Sequence, residues 1–173
     1  KLLFLLTRIQ EKKSYYFIPY KFGCFSFQAN ADLSTLAKYK LVEPSMKYWK
    51  KTDNTDYIEE LDSKDKAAIR FLKSQYGNLS KDELIALTYR QYPFFAINSI
   101  IASSILTNEE LNKVKNQRPI KNTIVLFTIG YEGISLEQYI NKLIVNDIRV
   151  LCDVRKNSYS MKYGFSKNQL KKA

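Results

Sequence analysis

The stretch from Thr123 to Ser166, TIVLFTIGYEGISLEQYINKLIVNDIRVLCDVRKNSYSMKYGFS, limits the fold more than any other part of the chain. Ile124 to Ile129 is apolar at nearly every position, which suits a strand covered on both faces within a parallel sheet. Gly130 and Gly133 bracket a tight turn. Ser135, with Gln138 three residues on, makes a capping box that predicts a helix from about Leu136. Leu136, Ile140, Leu143 and Ile144 fall on one stripe of that helix. Arg149 to Val154 predicts a second strand. Strand, crossover helix and strand make a βαβ unit, nearly always right-handed. Ligands in such sheets bind beyond the carboxyl ends of the strands. Tyr131, Glu132, Asp153, Arg155 and Ser158 fall there. Two strands and one helix do not make a stable open sheet. Either further sequence or another chain, such as a second copy in a homodimer, is expected to complete it. The sequence opens at Lys1 inside an apolar helical pattern and stops in a basic helix start, so a trimmed chain is expected.

The same residues carry a family resemblance. Thr128-Ile129-Gly130-Tyr131-Glu132-Gly133, Asp153-Val154-Arg155, Ser160 and Gly164-Phe165-Ser166 occur in that order. Together they resemble the opening of the domain of unknown function 488 family, over residues 123–173. The resemblance implies a Rossmann-like α/β domain with no firmly assigned activity. Members of that family continue into a later strand and a Cys-His-Arg motif, whereas this chain contains no histidine. Members often carry a proline after the Asp-Val-Arg motif, where Asn157-Ser158-Tyr159 stands here.

The chain has 173 residues, 45% of them hydrophobic, enough for one or two small domains with a real core. Its net charge of +11 makes nucleic acid the first partner to weigh. The plain alternative is a soluble, lysine-rich protein. Cys24 and Cys152 lie too far apart in sequence for a disulfide framework or zinc spacing, which fits a reducing, cytoplasmic setting. No run of 18 apolar residues occurs, so no membrane span is expected. Without histidine the scattered carboxylates suggest no metal site, and no cofactor can be named.

Towards the amino terminus, Lys1 to Lys12 predicts a helix with Leu2, Leu3, Leu6 and Ile9 as its apolar face. Ser14 to Phe17 is a short aromatic stretch closed by Pro19, and Tyr20-Lys21-Phe22-Gly23 then reads as a turn. Ser26 or Asn30 caps a second helix carrying Ala29, Leu33, Leu36 and Ala37. Leu41-Val42 and Met46 to Thr52 suggest a β-ribbon. Leu61 to Tyr76 predicts a helix with Ala68, Leu72 and Tyr76 inward. Capping boxes at Ser80 and Thr107 predict two more helices, and Ala96 to Ile105 a strongly apolar one. Arg118-Pro119 marks the linker. The order helix, short strand, helix, ribbon is that of a winged-helix module. Phe17 to Gly23 with Phe25-Ser26-Phe27 also resembles the amino-terminal region of some bacterial winged-helix proteins associated with phage or toxin–antitoxin loci. That resemblance implies DNA or protein-partner binding. The expected fold is therefore α+β: an α-rich, winged-helix-like domain over residues 1–117, then the start of a Rossmann-like α/β domain over 118–173 with an incomplete parallel sheet.

The chemistry has several readings. Gly130-x-x-Gly133 ahead of a helix start offers backbone N–H groups to a phosphate, or serves only as a tight turn. Asp153 and Arg155 share one strand face. They are either the catalytic pair, a base and an anion-binding fork, or a structural ion pair. Tyr131, Glu132, Ser158 and Ser160 complete the ligand-binding set with the two glycines. Cys152, set between Val150 and Val154, is expected on a buried face and without a catalytic role. Lys38, Lys40, Lys47, Lys50 and Lys51 on the second helix and ribbon, with Lys156 and Lys162 beyond Asp153, form the nucleic-acid-binding set, and a Ser166–Gln169 capping box predicts a closing helix. The seven aromatics between Tyr15 and Phe27 read as core, with base stacking the alternative. The leading expectation is nucleic-acid association plus a phosphate-bearing small ligand. An enzyme of nucleotide or nucleic-acid chemistry and a non-catalytic, antitoxin-like interaction module remain open beside it.

Overall fold

The structure, a computed structural model, describes residues 1–45 and 48–173. Among these residues the chain is mixed α and β, with eight α-helices and two small antiparallel sheets. Helix α1, Leu2–Ile9, leads into the hairpin β1 (Ile18–Tyr20) and β2 (Gly23–Phe25). Helix α2, Phe27–Lys38, follows, capped by the Ser26 side chain. Strands β3 (Val42–Pro44) and β4 (Trp49–Lys51) form the expected ribbon, and Met46 and Lys47 lie outside the described residues. The three helices α3 (Ser63–Tyr76), α4 (Lys81–Gln91) and α6 (Asn108–Asn116) begin at Asp62, Ser80 and Thr107 caps. Reciprocal capping boxes form at Ser80 and Thr107, as their sequences predict.

Three expectations differ from what forms. The buried side of α1 carries Phe4 and Leu5, while Leu2 and Ile9 are exposed. Leu-Leu-Phe-Leu-Leu is apolar all round, so periodicity alone leaves its rotation open. Phe4 decides it, meeting Phe17, Tyr92 and Phe95 edge-on at ring distances of 5.3, 5.1 and 4.7 Å. The first hairpin turns at Lys21-Phe22, as expected, but Pro19 lies within β1 opposite Cys24 instead of closing the stretch before it. A two-stranded hairpin tolerates this, because both of its strands are edges. The apolar stretch from Ala96 to Ile105 is not one helix. A 3-10 turn, Pro93–Ala96, ends where the stretch begins, and its only helix is the single turn α5, Ala102–Ile105. Long-range hydrogen bonds take its polar groups: Ile100 N–H to the Lys21 carbonyl, the Asn98 amide to the Pro19 carbonyl, and Arg118 to the Ile97 carbonyl.

The βαβ region forms its helix and leaves its strands unpaired. Helix α7, Leu136–Val145, starts at Ser135 with the reciprocal Gln138 box. The runs 124–129 and 149–154 have no ladder partner, and Ile124, Leu126, Val150 and Val154 face solvent. The Lys121 ammonium lies 4.7 Å from the Phe127 ring centre. A straight strand would separate residues six apart by about 20 Å, so the chain bends back there. The parallel sheet is thus not formed among the described residues. The reason lies in what α7 packs on. It meets β1 and α2, and buries Leu136 and Tyr139 against Phe165, spending there the apolar stripe a crossover helix gives its sheet. Cys152 is exposed rather than buried, because its run has no covering layer. The order helix, hairpin, helix, ribbon forms over α1 to β4. No described helix is long and apolar enough to cross a membrane.

Candidate functional site

Helix α7 is the platform, and the chain on either side of it converges at its amino-terminal end. Tyr131 stacks on the buried ring of Phe165 at 4.8 Å, with planes 22° apart. The guanidinium of Arg155 lies 5.3 Å from the Tyr131 ring centre. Arg155 holds Asp153 through Nε and Nη2 at 2.7 and 2.6 Å, and donates from Nη1 to the Phe165 carbonyl at 2.8 Å. Lys162 donates to the Tyr131 carbonyl at 2.7 Å, with its ammonium 5.3 Å from the Phe165 ring centre. Tyr131, Asp153 and Arg155, 24 positions apart in sequence at the extremes, therefore occupy one patch.

The electrostatics favour a fastening. Hydrogen bonds from Arg155 hold the Asp153 carboxyl down at about 2, against an ordinary 3.8, and the guanidinium is raised in turn. A carboxylate so acidic is a poor proton acceptor at neutral pH, where a general base works best with a matched pKa. Three of the five guanidinium N–H groups are already engaged. The pair thus fixes the loop after residue 153 onto Phe165. A depressed folded pKa means the stabilisation is complete above the unfolded value and lost as pH falls through the folded one. The Arg155 Nε–H resonance should stay sharp down to about pH 3 and fade towards about pH 2. Fading by pH 4, or an unchanged loop in Asp153→Asn, would contradict the fastening.

The other expected ligand-binding residues are arranged less tightly. Gly130, Gly133 and Glu132 are exposed, and a Cβ at either glycine would meet nothing within 4 Å. The helix start they precede is largely occupied: the Ser135 and Gln138 amides serve the capping box, and Leu136 and Glu137 are buried. Ser158 accepts the Lys167 amide at its carbonyl, and the Ser160 hydroxyl accepts the Lys162 amide. Helix α8, Lys167–Leu170, is a single turn without the expected side-chain cap. Gln169 instead accepts from the Ser166 hydroxyl and the Gly164 amide.

The lysines divide sharply. Lys50 pairs with Glu43 at 3.3 Å and Lys51 with Asp53 at 3.6 Å, while Lys38 and Lys40 are exposed. Between Arg155 and Lys172 there are six cations and no carboxylate. Arg155 and Lys162 turn inward as described. Lys156, Lys167, Lys171 and Lys172 face solvent and have no ion-pair partner among the described residues. Tyr159 stands between them, 72% exposed.

Glu137 is the structural residue that sequence reasoning misses. It is 1% exposed, and its Oε1 accepts from the Ser26 hydroxyl at 3.2 Å and the Gln28 amide at 2.9 Å. In the sequence it looks like any acidic residue in a helix's first turn, and nothing local shows that it caps a second helix as well. Asn141, donating to the Phe17 carbonyl, and Tyr163, donating to the Phe27 carbonyl, extend the same junction. No group of three or more potential metal ligands occurs among the described residues.

Residues 135–173 match a family model described as Domain of unknown function DUF488. The match starts at the Ser135 cap of α7 and takes in the Arg155–Asp153 pair, Phe165 and the basic loop; residues 123–134, with the Tyr131 that stacks on Phe165, lie outside it. No curated protein and no solved structure matches the chain.

Proposed function

We propose that the chain associates with nucleic acid through the basic segment Arg155–Lys172, with Lys156, Lys167, Lys171 and Lys172 taking phosphates. One observation carries the reading: a segment with six cations and no carboxylate is anchored from inside, so its other lysines are displayed rather than neutralised. Displayed cations gain affinity by releasing counterions from a polyphosphate. Tyr159 adds an exposed ring among them, suited to stacking. The boundary near residue 118 belongs to this proposal, with 118–173 as the part that carries the contact surface. A phosphate-bearing small ligand at the Gly130–Gly133 turn is supported by the open space over both glycines, and Tyr131, Glu132, Ser158 and Ser160 would line it. The filled capping box weakens that second reading.

The test is anisotropy of a labelled oligonucleotide with Lys156→Glu plus Lys167→Glu. The variant should bind all sequences more weakly and lose about one unit of salt slope per lysine. Lys113→Glu on α6 is the matched control and should bind as the parent chain does. Equal behaviour of the two variants would overturn the assignment.

A further inference from the structure

We propose that the β3–β4 hairpin is a single-strand contact surface, with Trp49, Tyr48 and Tyr39 stacking on bases and Lys38 and Lys40 seating phosphates. The proposal rests on the nucleic-acid reading above, and names both a second surface and the form of nucleic acid that fits it.

Large aromatic rings normally dominate cores. Here Tyr39 is 73% exposed, Tyr48 62% and Trp49 38%, and none of them joins any of the three apolar clusters. Their placement follows from the local fold. Lys40 adopts a left-handed φ of 59°, which ends α2 and turns the chain into β3. The Thr52 side chain closes on the Lys40 carbonyl at 2.5 Å, fixing Tyr39 and Lys40 at the root of the hairpin. The Ser45 amide donates to the Tyr48 carbonyl at 2.8 Å, placing Tyr48 just before β4. Trp49 lies opposite Pro44 and Lys50 opposite Glu43, so the Trp49 ring faces away from the Lys50–Glu43 pair, and Tyr48, one position earlier, falls on the pair's side; the hairpin thus offers a ring on each face.

Charge supports an anionic occupant from one side. Lys50 and Lys51 are paired with Glu43 and Asp53, which leaves Lys38 and Lys40 as the exposed cations at the root of the hairpin. Asp53, Asp56, Glu59, Glu60 and Asp62 follow, so a phosphate backbone is repelled from that flank and must leave over Lys38 and Lys40. Duplex DNA fits less well. Helix α2, the element that would enter a groove, carries one cation, Lys38, and one carboxylate, Asp32. A duplex also hides the base faces that exposed rings need, whereas unpaired bases offer them.

Trp49 is the chain's single tryptophan, so its emission reports on this hairpin alone. Titrating the full chain with unlabelled single-stranded oligothymidylate should quench Trp49 saturably, with the midpoint found by anisotropy, and a matched duplex should quench less. Trp49→Ala should weaken single-strand binding by on the order of tenfold and leave the salt slope unchanged, since stacking removes no phosphate contact. Binding by anisotropy with unaltered Trp49 emission would overturn the hairpin assignment while leaving the basic segment standing. Equal quenching by polyglutamate would also overturn it, marking an acidic-peptide surface instead. No oligonucleotide binding at all would remove the underlying reading and this one with it.

Discussion

Glu137→Ala is expected to destabilise the whole chain by about 2 to 3 kcal/mol, the cost of leaving buried donors without their charged acceptor. The Gln28 amide belongs to the first turn of α2, where backbone donors lack intrahelical partners. The Ser26 hydroxyl, which itself caps the Ala29 amide, loses its own acceptor at the same time. A carboxylate at a helix amino terminus also interacts favourably with the helix dipole. Glu137→Gln keeps an acceptor oxygen in place and should recover most of the loss. Denaturant midpoints of the two variants separate the effects. An alanine variant as stable as the parent would mean that α7 and α2 are not joined through this carboxylate.

Gly164→Ala is expected to cost about 2 to 4 kcal/mol, from a strained left-handed backbone and overpacking together. Gly164 has φ of +84°, and an added Cβ would sit 2.5 Å from Leu136 Cδ2. Leu136 Cβ and Cγ at 3.0 Å leave the leucine no easy retreat. The next residue, Phe165, is the ring on which Tyr131 and Tyr139 pack. The damage should therefore spread to the Arg155 anchor and loosen the basic loop. Gly133→Ala provides the contrast: its φ is +69° but the space around it is open, so about 1 kcal/mol is expected. Thermal melts of both variants make the comparison, and equal losses would contradict the steric part of the account.

Both effects lie at positions that sequence reasoning treats unevenly. The caps at Ser80, Thr107 and Ser135 were legible, and Ser26 was one of two positions the pattern offered for α2, because each such cap is a contact between residues three apart. The β3–β4 ribbon was legible for the same reason of locality. The rotation of α1 was not, since its apolar residues surround the helix and only distant rings orient it. The strands at 124–129 and 149–154 look right by composition, but pairing depends on a neighbour that no local pattern supplies. Tyr131 and Arg155 meet without the sheet expected to bring them together, because both reach Phe165, which packs on α7. Glu137 stayed hidden because its partners lie more than 100 residues away.

The claim that the displayed lysines of residues 156–172 take up phosphates is tested most directly by salt. Oligothymidylate affinity of the unmodified chain, followed from about 50 to about 200 mM salt, should fall linearly on logarithmic axes, with a slope of about −3 from the four lysines of this segment and about −4 if Lys38 and Lys40 engage the same strand. A flat line across that range, or no measurable affinity at its low end, would contradict the account.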